Sequence, residues 1–412
     1  MRRTFLSWMG VLAVLTLVPW SPALAATAGP IRVGFMSSLS GLFAPAGLDM
    51  EAGFRLAWEQ AGFRAAGRKV DLIVEDDEAS NAAAVAKYRK LVFQDRVHVF
   101  AGVFLTNVGY GLMPMIERDQ VPTLFLTTPD DLTKRRPSKW ALRANYSASQ
   151  TMHPLGDYAS RVLGYRKVAA LGLDNGFGYE QLGGFQRVFE GLGGKVVQKL
   201  WIPLNAQDLA PYITQLRRDA DAVLVVLPSA QAIQFVRGYR EYGLKGKIPL
   251  IASGVVTDES VLRAMGDDAL GIVSALNWSA TLPNRVNQAF VQAATAQFGK
   301  TPGYYSAVMY SAARWIAEAA RIVNGDVEDK ARFVEALRKA SETVEDPRGP
   351  IALDALGNPT QNVYILKVER AGDRLQNSVI HTYPAVSQFW TYTPEEFLKE
   401  PAYGRDYPPA KP

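Results

Sequence analysis

Cysteine is absent from this 412-residue chain. Its absence excludes disulfides, thiolate nucleophiles and cysteine-based metal sites. It also removes the lipidated cysteine that would tether an exported protein to a membrane. Histidine is nearly absent, with only His98, His153 and His381, far apart in sequence. No HExxH pair occurs and no carboxylate cluster has calcium-loop spacing, so neither a metal nor a cofactor is expected. His98 lies inside a strand-like run and reads as a satisfied core or edge histidine. Neither G-x-S-x-G nor G-x-x-x-x-G-K-[ST] is present. The glycine-rich turn from Gly172 to Gly178 follows a strand and opens a helix, but its spacing is not the G-x-G-x-x-G of dinucleotide binding. The acidic run Glu75-Asp76-Asp77-Glu78 closes a strand and reads as a solvated strand end. No residue set therefore names a reaction.

Long apolar runs are also missing, except at the start. Arg2 and Arg3 precede an apolar stretch from Trp8 to Val18, broken by Pro19 and Pro22 and followed by Ala23-Leu24-Ala25. The run is roughly ten residues, about half of a bilayer span, so residues 1–25 read as a cleaved signal peptide. Arg2-Arg3-Thr4-Phe5-Leu6 resembles a twin-arginine signal, and ordinary Sec signals share paired arginines, so both export routes stay open. The expected product is a soluble exported protein without a lipid anchor. The formal charge of +5 loses two with Arg2 and Arg3, leaving +3. That is too small and too interspersed for nucleic acid.

What is present is alternation. Short apolar runs at 31–36, 70–74, 97–100, 123–126, 168–173, 222–227 and 249–252 predict strands buried on both faces. Amphipathic stretches at 50–61, 81–93, 179–192, 230–242 and 306–324 predict helices, with Asn81 as one N-cap. The alternation predicts an α/β fold with mostly parallel sheets, in two blocks near 30–146 and 147–278. Leu142 to Tyr146 is a candidate crossing strand between them. Past residue 350 the chain turns to strand and loop, at Val363 to Val368 and Val379 to Tyr383.

Ile31-Arg32-Val33-Gly34 leads into Ser38-Leu39-Ser40-Gly41, then Gly47 and Glu51-Ala52-Gly53. With Val70 to Asp77, the helix at Asn81, Thr127 to Thr133, Leu142-Arg143, Gly176-Phe177-Gly178 and Tyr305 to Ala313, this order resembles the leucine/isoleucine/valine-type periplasmic solute-binding proteins of ABC importers. The resemblance covers most of the mature chain. It implies two Rossmann-like lobes joined by three crossing segments, lobe 1 being 26–146 plus 279–348 and lobe 2 being 147–278 plus 349–412. It implies a small-molecule ligand held between the lobes by hinge closure, a membrane permease as partner, a monomer, and no catalysis.

The resemblance also implies where a ligand touches. A carboxylate is held by hydroxyls and N–H groups of two strand-end loops, here Val103 to Asn107 and Leu126 to Pro129, which makes Thr106, Thr127 and Thr128 its expected ligands. Phe43, Phe104, Tyr146, Phe177, Ser229, Gly254 and Tyr305 are the remaining candidates. Amino-acid binders of the family place an acid after the strand matching Leu250-Ile251-Ala252, to pair with the ligand's ammonium. Here Ser253-Gly254-Val255-Val256 follows, with Asp258 and Glu259 only later. A buried unpaired ammonium costs several kcal/mol, to order of magnitude. The expected ligand is thus an aromatic or apolar organic acid without an α-amino group. The tail segment Val386 to Tyr392 resembles family members associated with aromatic acids. Alternatives are a branched-chain or hydrophobic amino acid binder and a periplasmic ligand-sensing module.

Overall fold

A computed structural model describes residues 29–411, so the signal-peptide reading lies outside the described residues. The chain forms two sheets. The first has β1 (Ile31–Ser37), β2 (Arg64–Ala65), β3 (Arg68–Asp76), β4 (Val99–Gly102), β5 (Thr123–Phe125) and β6 (Ala141–Arg143), in the order β2-β3-β1-β4-β5-β6. All its pairings are parallel except the β2–β3 hairpin. The second has β7 (Lys167–Leu173), β8 (Lys195–Ile202), β9 (Ala222–Val226), β10 (Leu250–Ser253), β11 (Val273–Leu276), β12 (Ile351–Leu353), β13 (Pro359–Ala371) and β14 (Arg374–Val386). Its order is β12-β13-β11-β10-β9-β7-β8, with β14 paired to β13.

Helices fill the connections: α1 (Ala44–Gln60), α2 (Asn81–Arg89), α3 (Thr106–Asp119), α4 (Met152–Arg161), α5 (Gly176–Gly191), α6 (Ala210–Thr214), α7 (Ser229–Glu241), α8 (Glu259–Met265), α9 (Arg285–Phe298), α10 (Tyr304–Ile322), α11 (Lys330–Thr343) and α12 (Pro394–Lys399). Successive side chains of a strand point to opposite faces, so a strand covered on both sides must be apolar throughout. In the second sheet Ala169, Leu171, Val223 and Val225 enter one core cluster, while Val168, Ala170, Leu224 and Val226 enter the other. The first sheet shares its core with α1 and with the returning helices α10 and α11.

The two-lobe α/β architecture agrees with the expectation, and its details correct others. Strand β8 and helices α4, α9 and α11 are not among the predicted elements. Helix α2 is capped by Ser80, whose side chain accepts from Ala83 N–H, and not by Asn81. It continues as a π-turn at Lys90–Gln94. The acidic run is not a solvated strand end. Asp77 is buried and accepts from Ser38 Oγ at 2.6 Å, and Asp76 accepts from Leu39 N–H at 2.9 Å. Glu75 pairs with Lys90 and Lys87, which hold its carboxyl below the usual range although burial pushes it up. Asp76 and Asp77 clamp the loop after β1, and Glu75 ties β3 to the end of α2 and the π-turn. His98 precedes β4, an interior strand of the sheet, and is satisfied, its Nδ1 accepting from Arg32 N–H at 2.9 Å.

The chain crosses between sheets at 144–151, 277–284 and 344–350. Buried amides tie the crossings: Gln361 Nε2 donates to the Asn145 carbonyl at 3.1 Å, and Asn277 Nδ2 to Gln361 Oε1 at 3.1 Å. Arg348 pairs with Asp346 at 2.9 Å, both buried, and donates to the Ala144 carbonyl at 2.5 Å.

Candidate ligand-binding cleft

In an open parallel sheet the strands end on helix N-termini, whose first N–H groups have no partner within the helix. Here the carboxyl ends of both sheets face one narrow cavity between the lobes. The first lobe contributes Phe43, Phe104, Leu105, Thr106, Leu126, Thr128, Tyr304 and Tyr305. The second contributes Leu173, Asn175, Phe177, Pro228 and Val255. The lobes meet closely: a Cβ added at Gly176 would stand 3.0 Å from the Thr106 methyl.

Helix N-termini supply the polarity. Leu105 begins α3 and Pro228 begins α7, and neither helix has a side-chain cap. Their first-turn N–H groups are thus available at the cavity edge, where the macrodipole favours an anion. Asn175 accepts from Gly178 N–H at 3.1 Å through Oδ1, which leaves its Nδ2 as a donor. Among the described residues no aspartate, glutamate, lysine, arginine or histidine lines the cavity. The Tyr304 and Tyr305 phenols are neutral, held well above their ordinary range by burial. The walls are aromatic, with Phe43 5.8 Å and Tyr305 5.6 Å from Phe104, ring centre to ring centre.

Strain gathers in the same loops. Val103, before Phe104, has φ +62°, and Ser229, after Pro228, has φ +53°. A β-branched residue in the left-handed region costs of order 1–3 kcal/mol and persists only where its surroundings hold it.

Of the sequence candidates, Phe43, Phe104, Thr106, Thr128, Phe177 and Tyr305 line the cavity. Thr127, Tyr146, Ser229 and Gly254 stand behind the lining. Residues of an extended loop alternate in direction. Leu126 and Thr128 face inward, while the Thr127 methyl turns to α3, where a Cβ on Gly109 would approach it to 2.7 Å. In the same way Pro228 faces inward and Ser229 does not, and Val255 lines the cavity beside Gly254. Tyr146 is fully buried, its ring 6.1 Å from that of Tyr304. The Thr127, Tyr146 and Ser229 hydroxyls are buried without partners.

Sequence reasoning did not single out Leu105, Leu126, Leu173, Asn175, Pro228, Val255 or Tyr304 as ligand candidates. Asn175 carried a signal, as a polar residue between a strand and a helix. Asp258, the acid a shifted alignment would bring toward a ligand, is buried outside the lining. It accepts from Tyr304 N–H at 2.7 Å and Ser260 N–H at 3.0 Å. Burial and neighbouring Asp49 push its carboxyl up to about 6.

Among the described residues no group of three His, Cys, Asp or Glu is placed to hold a metal, and no helix is long and apolar enough to cross a membrane.

The chain is similar to known proteins along nearly its whole length. The Leu/Ile/Val-binding protein homolog 6 of Brucella melitensis is 29% identical over 382 residues, covering 90% of this chain and 95% of the relative. An ABC transporter substrate-binding protein from Sphaerobacter thermophilus superposes with a TM-score of 0.81 at 33% identity, over 87% of this chain and 99% of that one. A solute-binding protein from Rhodopseudomonas palustris BisB5, in complex with 3,4-dihydroxybenzoic acid, gives a TM-score of 0.81 at 30% identity, over 87% and 98%. The periplasmic binding protein family model matches residues 30–373. A cleft between two parallel-sheet lobes and a match of that extent lead to one assignment: the chain belongs to the periplasmic binding protein family, as a solute-binding protein of the ABC-transporter type.

Proposed function

We propose that this chain captures an aromatic or other apolar carboxylate in the periplasm and hands it, unchanged, to the membrane permease of an ABC importer. The observation that carries the reading is the lining of the cleft. It offers hydroxyls and uncapped helix N-termini to an anion, aromatic walls to a ring, and no carboxylate to an ammonium. Thr106, Thr128 and the first N–H groups of α3 take the carboxylate. Phe43, Phe104, Phe177 and Tyr305 enclose the ring, and Asn175 and Tyr304 meet its substituents. Thr127, Tyr146, Ser229 and Gly254 shape the cavity from behind.

An amino acid would bury its ammonium among apolar groups and neutral phenols. That costs several kcal/mol, to order of magnitude, against about 8 kcal/mol for micromolar binding. The complex of the similar Rhodopseudomonas palustris protein with 3,4-dihydroxybenzoic acid supports the aromatic class. The name of the Brucella melitensis relative points the other way, to branched-chain amino acids. A thermal-shift panel decides. Stabilisation by benzoate or hydroxybenzoates and not by leucine, isoleucine, valine or phenylalanine is the expected result, and the reverse pattern overturns the ligand class. Native mass spectrometry of the purified protein tests transport without chemistry, since ligand is then recovered with its mass unchanged.

A further inference from the structure

Two buried carboxyl groups of the second lobe bond to the first lobe, and neither belongs to the cavity lining. Glu180, on the second turn of α5, accepts from the Tyr110 hydroxyl of α3 at 3.1 Å and from Asp130 N–H, in the loop after β5, at 2.9 Å. Asp258, which caps α8, accepts from Tyr304 N–H at the start of α10 at 2.7 Å. Tyr304 itself lines the cavity. Gly303 makes room for this second contact: a Cβ there would stand 2.5 Å from an Asp258 oxygen and 2.5 Å from an Asp49 oxygen.

We propose that Glu180 and Asp258 are positioning residues for ligand capture. Each is a latch formed only when the lobes close, and together they set how long a ligand is retained without touching it. The inference rests on the hinge-closure part of the proposed function and not on the aromatic ligand class. Tyr110, Asp130 and Tyr304 belong to one lobe and the two acids to the other, so opening the cleft breaks all three bonds and returns both carboxyls to water.

The charges around each latch make it sensitive to pH. Glu180 faces Asp130 and Lys134 from the loop after β5, Tyr110 from α3 and Arg143 from β6. Burial and then Asp130 push its carboxyl well up. Asp258 faces Asp49 of α1, Glu259 of its own helix, Tyr146 of the first crossing and Tyr305 of α10, while Lys300 acts on Asp49. Its carboxyl is pushed up to about 6. In the open form both groups return toward about 4, the ordinary carboxylate range. The closed form therefore binds more protons than the open one. By linkage, closure is favoured as pH falls through about 6, where Asp258 takes up its proton in the closed form, Glu180 acts in the same direction, and the gain levels off near pH 4.

The absence of cysteine permits a direct test. Spin labels go on cysteines placed at Phe93 and Val162, each 57% exposed and on different lobes. Interlobe distances are then measured at about pH 8 and pH 5, without ligand and with 3,4-dihydroxybenzoate as probe. The closed fraction should rise several-fold at the lower pH in the native protein. In the isosteric pair Glu180→Gln with Asp258→Asn, which removes the titrating groups and keeps one carbonyl acceptor at each site, that rise should vanish. In the pair Glu180→Ala with Asp258→Ala, closure should fall about tenfold or more, in line with the loss of three buried interlobe hydrogen bonds. Native distances that ignore pH, an isosteric pair that keeps the response, or an alanine pair that closes like the native protein would each overturn the latches. If the alanine pair fails to fold, the isosteric pair alone decides. Label distances that respond to pH while the probe does not bind overturn the ligand class and leave the latches standing.

Discussion

Thr106 and Thr128 are the residues on which the ligand reading depends most. Each presents a hydroxyl to a cavity whose other surfaces are largely apolar. A hydrogen bond to a charged group contributes about 1.5–3 kcal/mol, so Thr106→Val and Thr128→Val should each weaken carboxylate binding by about tenfold or more. Calorimetric titration with 3,4-dihydroxybenzoate measures this, and the unliganded melting temperature should stay near the native value because shape is kept. Thr127→Val separates the two faces of the loop. Its hydroxyl is buried outside the lining with no partner, so the substitution should leave affinity within about threefold and not reduce stability. A tenfold loss of affinity in Thr127→Val would mean that the loop turns over when ligand enters. The threonines stood out in the sequence as hydroxyls after strands. Which of three neighbours faces inward depends on the local direction of an extended loop, and a one-residue shift reverses it.

At the scale of elements, the first lobe depends on α1 packing against α10. Gly53 of α1 meets Ser306 of α10 backbone to backbone, and a Cβ at Gly53 would stand 2.5 Å from the Ser306 Cα. Asp49, one turn earlier, accepts from Ser306 N–H at 3.0 Å and from its hydroxyl at 2.8 Å. Because backbone cannot yield as a side chain does, Gly53→Ala should destabilise the protein by about 1–3 kcal/mol, read as a lowered urea midpoint. The pairing joins residues about 250 apart, so local periodicity shows both helices and not their contact. Strand β8 escaped local reading for another reason. It is an edge strand with Gln198 and Lys199 inside it, and its apolar pattern is broken. The C-terminal tail covers that edge: Lys411 N–H donates to the Val196 carbonyl at 2.8 Å, and Gln186 Nε2 to the Pro409 carbonyl at 2.7 Å. Covering an unpaired edge prevents strand addition by another chain.

For the whole molecule, the crossings decide both stability and motion. Arg348 and Asp346 are buried together in the third crossing, and Arg348 also holds the first crossing through the Ala144 carbonyl. Removing one partner of a buried pair leaves an uncompensated charge, so Arg348→Ala should cost about 3–5 kcal/mol in chemical denaturation. Since two crossings are joined at this point, the variant should also lose the single cooperative transition and unfold lobe by lobe. Ligand closing the native cleft should reduce the radius of gyration in small-angle X-ray scattering, and no change on saturation would argue against hinge closure.

The sequence by itself determined the architecture, because strands covered on both faces need unbroken apolar runs and amphipathic helices announce their buried side. Its resemblance to the leucine/isoleucine/valine-type binding proteins pointed to a cleft at the strand ends, and six of the ten residues that the resemblance suggested line the cavity. It did not determine the side-chain facing at that cleft, the capping of α2 by Ser80 or the burial of Asp77. Nor did it reveal that Glu180 and Asp258 bridge the lobes. Each of these depends on groups far apart in the chain meeting in space, where burial and neighbouring charge decide what a carboxylate does. Tertiary structure alone could turn Asp258 from a candidate partner of the ligand's ammonium into the N-cap of α8 and an acceptor for the Tyr304 N–H that begins α10.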